Sequence, residues 1–128
     1  TTDNSLPLFI GGKSMGGRVA ATLAKSKQKE VKGVICLGYP FHPAKKPEKL
    51  RLEPLQDTEK SILILQGDRD LLGCKSEIEN YKISDLCQLQ YFEDGDHDLK
   101  PRVKSGFTHQ QHIEQAVHAI VRFINEKC

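Results

Sequence analysis

Phe9-Ile-Gly-Gly-Lys-Ser-Met-Gly-Gly-Arg18 carries two overlapping patterns, and the choice between them decides the fold. Gly12-Lys13-Ser14 resembles the end of a phosphate-binding loop, whereas Gly12-Lys13-Ser14-Met15-Gly16 is a G-x-S-x-G, the turn that exposes a nucleophilic serine. The phosphate-loop pattern needs a glycine five residues before Gly12, where backbone N–H groups would wrap a phosphate. That position is Pro7, which has no N–H and a fixed φ. The apolar run Leu6–Ile10 also abuts Gly11 directly, leaving no length for a loop. No register of G-x-G-x-x-G fits these glycines either. The serine turn does fit: a short apolar strand enters, Ser14 sits on a sharp turn, and Met15–Lys25, rich in small and apolar residues, leaves as a helix. Gly12 and Gly16 are expected to leave room where a Cβ would strike neighbouring backbone.

Working outward, strands and helices alternate. Strands are predicted at Leu6–Ile10, Val31–Leu37, Ser61–Leu65 and Gln88–Phe92. Helices are predicted at Met15–Lys25, Lys75–Ile83 and Thr108–Asn125, the last with an apolar stripe at Ile113, Val117, Ile120, Val121 and Ile124. The alternation predicts an α/β fold with a parallel sheet of about four strands flanked by helices. The unbroken apolar runs "GVICL" and "ILIL" agree with strands covered on both faces. Gly38–Thr58 is a Pro- and Lys-rich passage whose Lys45, Lys46, Lys49 and Arg51 read as a solvated loop.

The 128 residues suit a single domain, 1–128, and 38% apolar content suffices for a core. A net charge of +2, from 19 basic and 17 acidic residues, gives no electrostatic reason to expect nucleic acid or an anionic membrane surface as partner. Apolar runs of about five residues are too short to span a bilayer. Thr1-Thr2-Asp3-Asn4 lacks the basic start and apolar region of a signal peptide. Cys36, Cys74, Cys87 and Cys128 have no C-x-x-C spacing, so neither a disulfide framework nor a zinc site is expected. Cys36 reads as a buried small hydrophobe, and a reducing cytoplasm is the expected location.

A serine hydroxyl needs a base to take its proton, and that base needs an acid to orient it. In parallel sheets such groups gather beyond the carboxyl ends of strands. After the third predicted strand comes Gln66-Gly-Asp-Arg-Asp70, and after the fourth Glu93-Asp-Gly-Asp-His97. Ser14 as nucleophile, Asp70 as acid and His97 as base therefore appear in the chain order Ser, acid, His. Asp68 competes with Asp70, but an aspartate that soon after a strand serves turn geometry. The Met15 N–H is the expected first oxyanion donor. Asp94 and Asp96 read as a solvated acidic loop around His97. His42, in "GYPFHP", is placed at the mouth of the site. His109 and His112 lie three apart but read H-Q-Q-H, without the glutamate or third ligand of a zinc site, and are assigned to a polar helical face. No metal and no cofactor is expected.

The segments "GGKSMGGR", "GYPFHP", "ILILQGDRD" and "DGDHDLKPR", in this order and over nearly the whole chain, resemble a small α/β-hydrolase family close to the dienelactone hydrolases. It includes predicted bacterial hydrolases and proteins similar to testis-expressed protein 30. The resemblance implies the same three residues, Ser14, Asp70 and His97, and a small-molecule ester or thioester as substrate. A more distant relative is a scaffold subunit, so the alternative is a non-catalytic protein-interaction module on the same fold. In the hydrolase fold the serine follows the fifth strand, so the resemblance implies the C-terminal part of a protein roughly 80–90 residues longer. It also implies that the second oxyanion donor lies in a loop preceding these residues. Leu6–Ile10 would then be an exposed edge strand, and a homodimer paired through it is expected.

Overall fold

The computed structural model describes residues 8–26 and 31–127, excepting the side chains of residues 25 and 26. Four strands form one parallel sheet: β1 (Leu8–Lys13), β2 (Val31–Leu37), β3 (Ser61–Gly67) and β4 (Cys87–Phe92), in the spatial order β1-β2-β3-β4. The helices are α1 (Met15–Ser26), α2 (Glu53–Gln56), α3 (Lys75–Ile78) and α4 (His109–Lys127), with a 3₁₀ turn at Val103–Ser105. The α/β expectation of about four parallel strands flanked by helices is met.

Strand alternation divides the core into two layers. On β2 and β3, Val34, Cys36, Ile62 and Ile64 face one way, onto Ala20, Ala21 and Ala24 of α1 and the aromatic pair Tyr39 and Phe41. Leu63 and Leu65 face the other way, with Phe92, onto Ala116, Ala119 and Phe123 of α4. The central strands are thus buried on both faces, which is why they read as unbroken apolar runs rather than alternating ones. Alanines at the helix contacts let both helices close onto the sheet.

Several boundaries differ from expectation. β1 runs to Lys13, past the predicted end at Ile10, because Gly11, Gly12 and Lys13 pair with Ile35, Cys36 and Leu37 of β2. Leu6 and Pro7 of the predicted strand, Thr1–Asn4 and Cys128 lie outside the described residues. β1 is one edge strand of the described sheet and β4 the other. Within the Pro- and Lys-rich passage, Pro54 and Leu55 of α2 are buried, while Lys45, Lys46 and Lys49 are exposed. α3 spans only Lys75–Ile78. Beyond it, Asn80 and Tyr81 N–H donate to carbonyls three residues back, and Ser84 N–H donates to Leu55 O, which draws the chain off the helical path.

α4 starts where Thr108 Oγ1 accepts the Gln111 N–H at 3.1 Å and Gln111 Oε1 accepts the Thr108 N–H at 2.8 Å, a reciprocal cap. Its buried face is His112, Ala116, Ala119 and Phe123, not the expected stripe. Ile113, Val117 and Val121 are 44%, 52% and 51% exposed, and Ile120 is the stripe member that packs into the core. No described helix is long and apolar enough to cross a membrane. Cys36, Cys74 and Cys87 are free thiols.

Candidate active site

All four strands of the parallel sheet point their carboxyl ends to one edge, where the segments after β1, β3 and β4 deliver Ser14, Asp70 and His97. Ser14 follows β1 immediately. Its φ is +54°, a left-handed conformation that costs a non-glycine residue, and its N–H donates to Leu37 O at 2.8 Å. The turn is tight on the Gly12 side, since a Cβ on Gly12 would lie 2.5 Å from the Gly16 carbonyl carbon. The expectation for Gly16 is corrected, because a Cβ there would meet nothing within 4 Å. The second crowded position is Gly17, whose Cβ would come within 2.9 Å of Gly12 O. Close approach of the first helical turn to β1 therefore needs small residues at 12 and 17, and uses the backbone of 16.

The structure brings Ser14, His97 and Asp70 into one hydrogen-bonded row. His97 Nε2 lies 2.7 Å from Ser14 Oγ, and His97 Nδ1 lies 2.7 Å from Asp70 Oδ2. Asp70 is fully buried, and its Oδ1 accepts the Leu72 N–H at 2.8 Å. Because both oxygens of Asp70 accept N–H groups, Nδ1 of His97 carries a proton toward it. In the neutral ring that leaves Nε2 as the acceptor for the serine hydroxyl. His97 has its pKa raised. The hydrogen bond to Asp70 is the main cause, burial opposes it, and Asp70 and Asp98 raise it further while Lys13 lowers it.

Asp68 makes no such contact. It is half-buried, and its backbone bonds Phe92 O and Lys75 N–H to close the loop. Met15 opens α1, where the first N–H groups of a helix have no intrahelical acceptor. Its side chain is about half exposed. Cys36 is no rival nucleophile, since burial pushes its thiol up to about 12.

Three expectations are corrected. Asp94 and Asp96 are not a solvated rim. Asp94 accepts the Arg102 backbone N–H at 2.8 Å, its carboxylate pairs with the guanidinium groups of Arg102 and Arg69, and Arg102 holds it well below the usual carboxylate range. Asp96 Oδ1 accepts the N–H groups of Asp98 and Lys100 at 2.8 and 3.0 Å. These bonds fix the loop that presents His97. The carboxylate that does face His97 from this loop is Asp98, which also pairs with Lys13.

His42 is not at the mouth. It is buried, with Nδ1 2.7 Å from Pro43 O and Nε2 3.0 Å from Glu77 Oε1. His112 does not share a polar face with His109. It is buried between Phe92 and Phe107 with Nδ1 2.8 Å from Leu99 O, whereas His109 is exposed. Among the described residues no group of three His, Cys, Asp or Glu side chains is arranged to hold a metal.

Two residues at the site escaped the sequence reading. Gly38, with φ +67°, sits against His97, and a Cβ there would lie 2.7 Å from His97 O and 3.2 Å from its ring. Gln66 is buried in β3 and donates to Asp70 Oδ2 at 3.1 Å. A glycine immediately after a strand was the available signal for the first, and a lone amide in an apolar strand for the second. Beside His97 a cleft of about 520 Å³ opens, lined by Leu37, Leu99, Ile113 and Val117 with Lys13 and Asp98 among its polar members.

Comparison with known proteins agrees with this architecture. The family model described as an alpha/beta hydrolase domain matches residues 1–125. Among solved structures, Est1E from Butyrivibrio proteoclasticus with ferulic acid bound superposes with a TM-score of 0.65 at 17% identity, covering 95% of this chain and 60% of that one. An alpha-beta serine hydrolase homologue from Coxiella burnetii gives 0.54 at 19% identity, covering 72% of this chain and 41% of that one. A predicted CIB-like hydrolase from Thermoplasma acidophilum gives 0.53 at 20% identity, covering 71% and 42%. At these identities the likeness speaks for the fold, and the chain spans about half the length of these structures. With the family model matched over nearly its whole length, the chain belongs to the alpha/beta hydrolase domain family.

Proposed function

We propose that this chain carries the reaction centre of a cytoplasmic serine hydrolase that cleaves an ester or thioester of a small molecule. Ser14 Oγ attacks the acyl carbon while His97 Nε2 takes its proton. The leaving alcohol or thiol then receives that proton as the tetrahedral intermediate collapses to an acyl-enzyme. Water repeats the sequence, delivering the acid and returning the proton to Ser14. Asp70 holds the Nδ1–H tautomer and stabilises the imidazolium that forms in each half-reaction. The Met15 N–H serves as one donor to the developing oxyanion, with a second donor supplied from outside these residues. Every step uses side chains and water, so no cofactor is required. The likeness of the four motifs named above to a family close to the dienelactone hydrolases supports a small-molecule ester as substrate.

The observation that carries this reading is the row Ser14–His97–Asp70, with two separations of 2.7 Å and a strained backbone at the serine. A serine without an acyl-transfer role has no reason to be held in a left-handed turn facing a histidine backed by a buried aspartate. The test is labelling of the natural full-length protein by a fluorophosphonate probe, together with hydrolysis of short activated esters. Ser14→Ala is expected to abolish labelling and lower turnover by about 10⁴–10⁶. Near-normal turnover in that variant would overturn the assignment.

A further inference from the structure

Gln66, the penultimate residue of β3, is fully buried, and its side-chain amide meets four polar atoms from three places in the chain. Oε1 accepts the Tyr39 N–H at 2.9 Å. Nε2 lies 3.2 Å from Tyr39 O, 3.0 Å from Gly73 O and 3.1 Å from Asp70 Oδ2. The orientation of the amide follows from chemistry. Turned over, its oxygen would face three acceptors and its nitrogen would face an N–H. Two amide hydrogens shared among three acceptors leave it no freedom to swing.

The oxygen that Gln66 reaches, Asp70 Oδ2, is the one that accepts the His97 Nδ1–H. The other oxygen is held by Leu72 N–H. Without Gln66 the carboxylate keeps one anchor and gains a rotation about its last torsion, which carries Oδ2 away from the histidine. Tyr39 lies near the start of the loop after β2 and Gly73 near the end of the loop after β3, which carries Asp70 itself, so the same amide also ties these two loops together.

We propose that Gln66 is a positioning residue of the reaction centre: its amide fixes the rotation of the Asp70 carboxylate so that Oδ2 meets His97, and locks the loops at Tyr39 and Gly73 around it. The inference rests on the serine hydrolase reading. Gln66 touches neither Ser14 nor a reacting carbonyl and acts only through Asp70. A buried amide that merely satisfied the backbone of Tyr39 would affect stability and leave the His97–Asp70 bond unchanged, and this difference is measurable.

The test compares the full-length protein with Gln66→Met, which keeps volume and removes every donor. Three quantities are read: the His97 titration midpoint by NMR, the fluorophosphonate labelling rate against pH, and the urea midpoint. His97 also faces Asp98 and Lys13, which the variant leaves in place. In Gln66→Met the His97 midpoint is expected to move down toward 6.5, because its bond to Asp70 is weakened. The labelling plateau is expected to fall by about 10²-fold, as for a misplacement of about 1 Å.

Gln66→Glu guards against a methionine variant that does not fold. Its second oxygen would face only acceptors, so it holds a proton until rising pH removes it and sets a like charge beside Asp70. Its labelling rate relative to the parent is expected to fall as pH rises. A folded Gln66→Met with midpoint and plateau within twofold of the parent would overturn the inference. So would a Gln66→Glu profile parallel to the parent where Gln66→Met does not fold. Failure of the parent to label would count against the hydrolase reading alone, since the NMR midpoint needs no turnover.

Discussion

Replacing Gly38 with alanine should separate the backbone cost of a left-handed residue from the cost of disturbing His97. Gly38 has φ +67°, where an alanine loses roughly 1–2 kcal/mol. Its new Cβ would also stand 2.7 Å from His97 O, against 3.4 Å for the near edge of ordinary contact, so one of them must give by about 0.7 Å (3.4 − 2.7). Gly38 has little room to retreat, because its own N–H donates to Leu65 O at 2.8 Å. The His97 loop therefore moves, and the 2.7 Å contact from Nε2 to Ser14 Oγ lengthens toward the limit of hydrogen bonding. Gly106 provides the control. It has φ +86°, yet a Cβ there would meet nothing within 4 Å.

Both alanine variants should lose about 1–2 kcal/mol in urea unfolding from the backbone alone. Gly38→Ala should lose a further ~1–3 kcal/mol from overpacking. Only Gly38→Ala should slow fluorophosphonate labelling, by on the order of 10²-fold. Labelling within about threefold of the parent in a folded Gly38→Ala would refute the claim that this glycine sets the position of the histidine.

Other outcomes follow from the same geometry. Asp70→Asn should keep the fold and lower turnover by about 10⁴, because an amide at this place favours the wrong histidine tautomer; an unchanged rate would remove Asp70 from the reaction. Turnover should rise with pH through a midpoint above 6.5, since the reactive ring is neutral and its Asp70 bond holds the proton on; a midpoint well below 6.5 would contradict the arrangement. The His42–Glu77 pair should stabilise the fold over a limited pH window. Burial opposes charge on His42, but its bonds to Pro43 O and Glu77 win and raise its pKa, so that contribution is complete below 6.5 and is lost as pH rises through the folded value. Glu77 is held below its usual 4.5, chiefly by His42, so its contribution is present above 4.5 and is lost as pH falls through the folded value. His42→Gln should thus cost most between about pH 4.5 and 6.5, and a pH-independent cost in urea unfolding would count against the pair. Residues 1–128 alone should self-associate, because Ile113, Val117 and Val121 on α4 and Met15 and Val19 on α1 are each 44–52% exposed; a monomer by sedimentation at all concentrations would oppose this.

The parts of this molecule that could be read in sequence are those decided by neighbours in the chain. Ser14, Asp70 and His97 each follow a strand within five residues, so the strand signal fixes where each is delivered without knowledge of packing. The parallel sheet is legible for the same reason, because Val34–Cys36 and Ile62–Leu65 are apolar on both faces. What stayed hidden depends on partners far along the chain. Gln66 finds Tyr39 across 27 residues, and His42 finds Glu77 across 35. In isolation each reads as a polar residue of no particular use.

The helix α4 shows a different limit. Apolar side chains occupy more of its circumference than the described sheet covers, so periodicity alone cannot say which row is inward. The decision rests on volume: Ala116 and Ala119 permit close approach to Leu63 and Leu65, which the longer Ile113 and Val117 would prevent. His112 follows that choice inward and satisfies Nδ1 on Leu99 O. Its burial, opposite to what its neighbour His109 suggested, is thus a consequence of two alanines one and two turns further on.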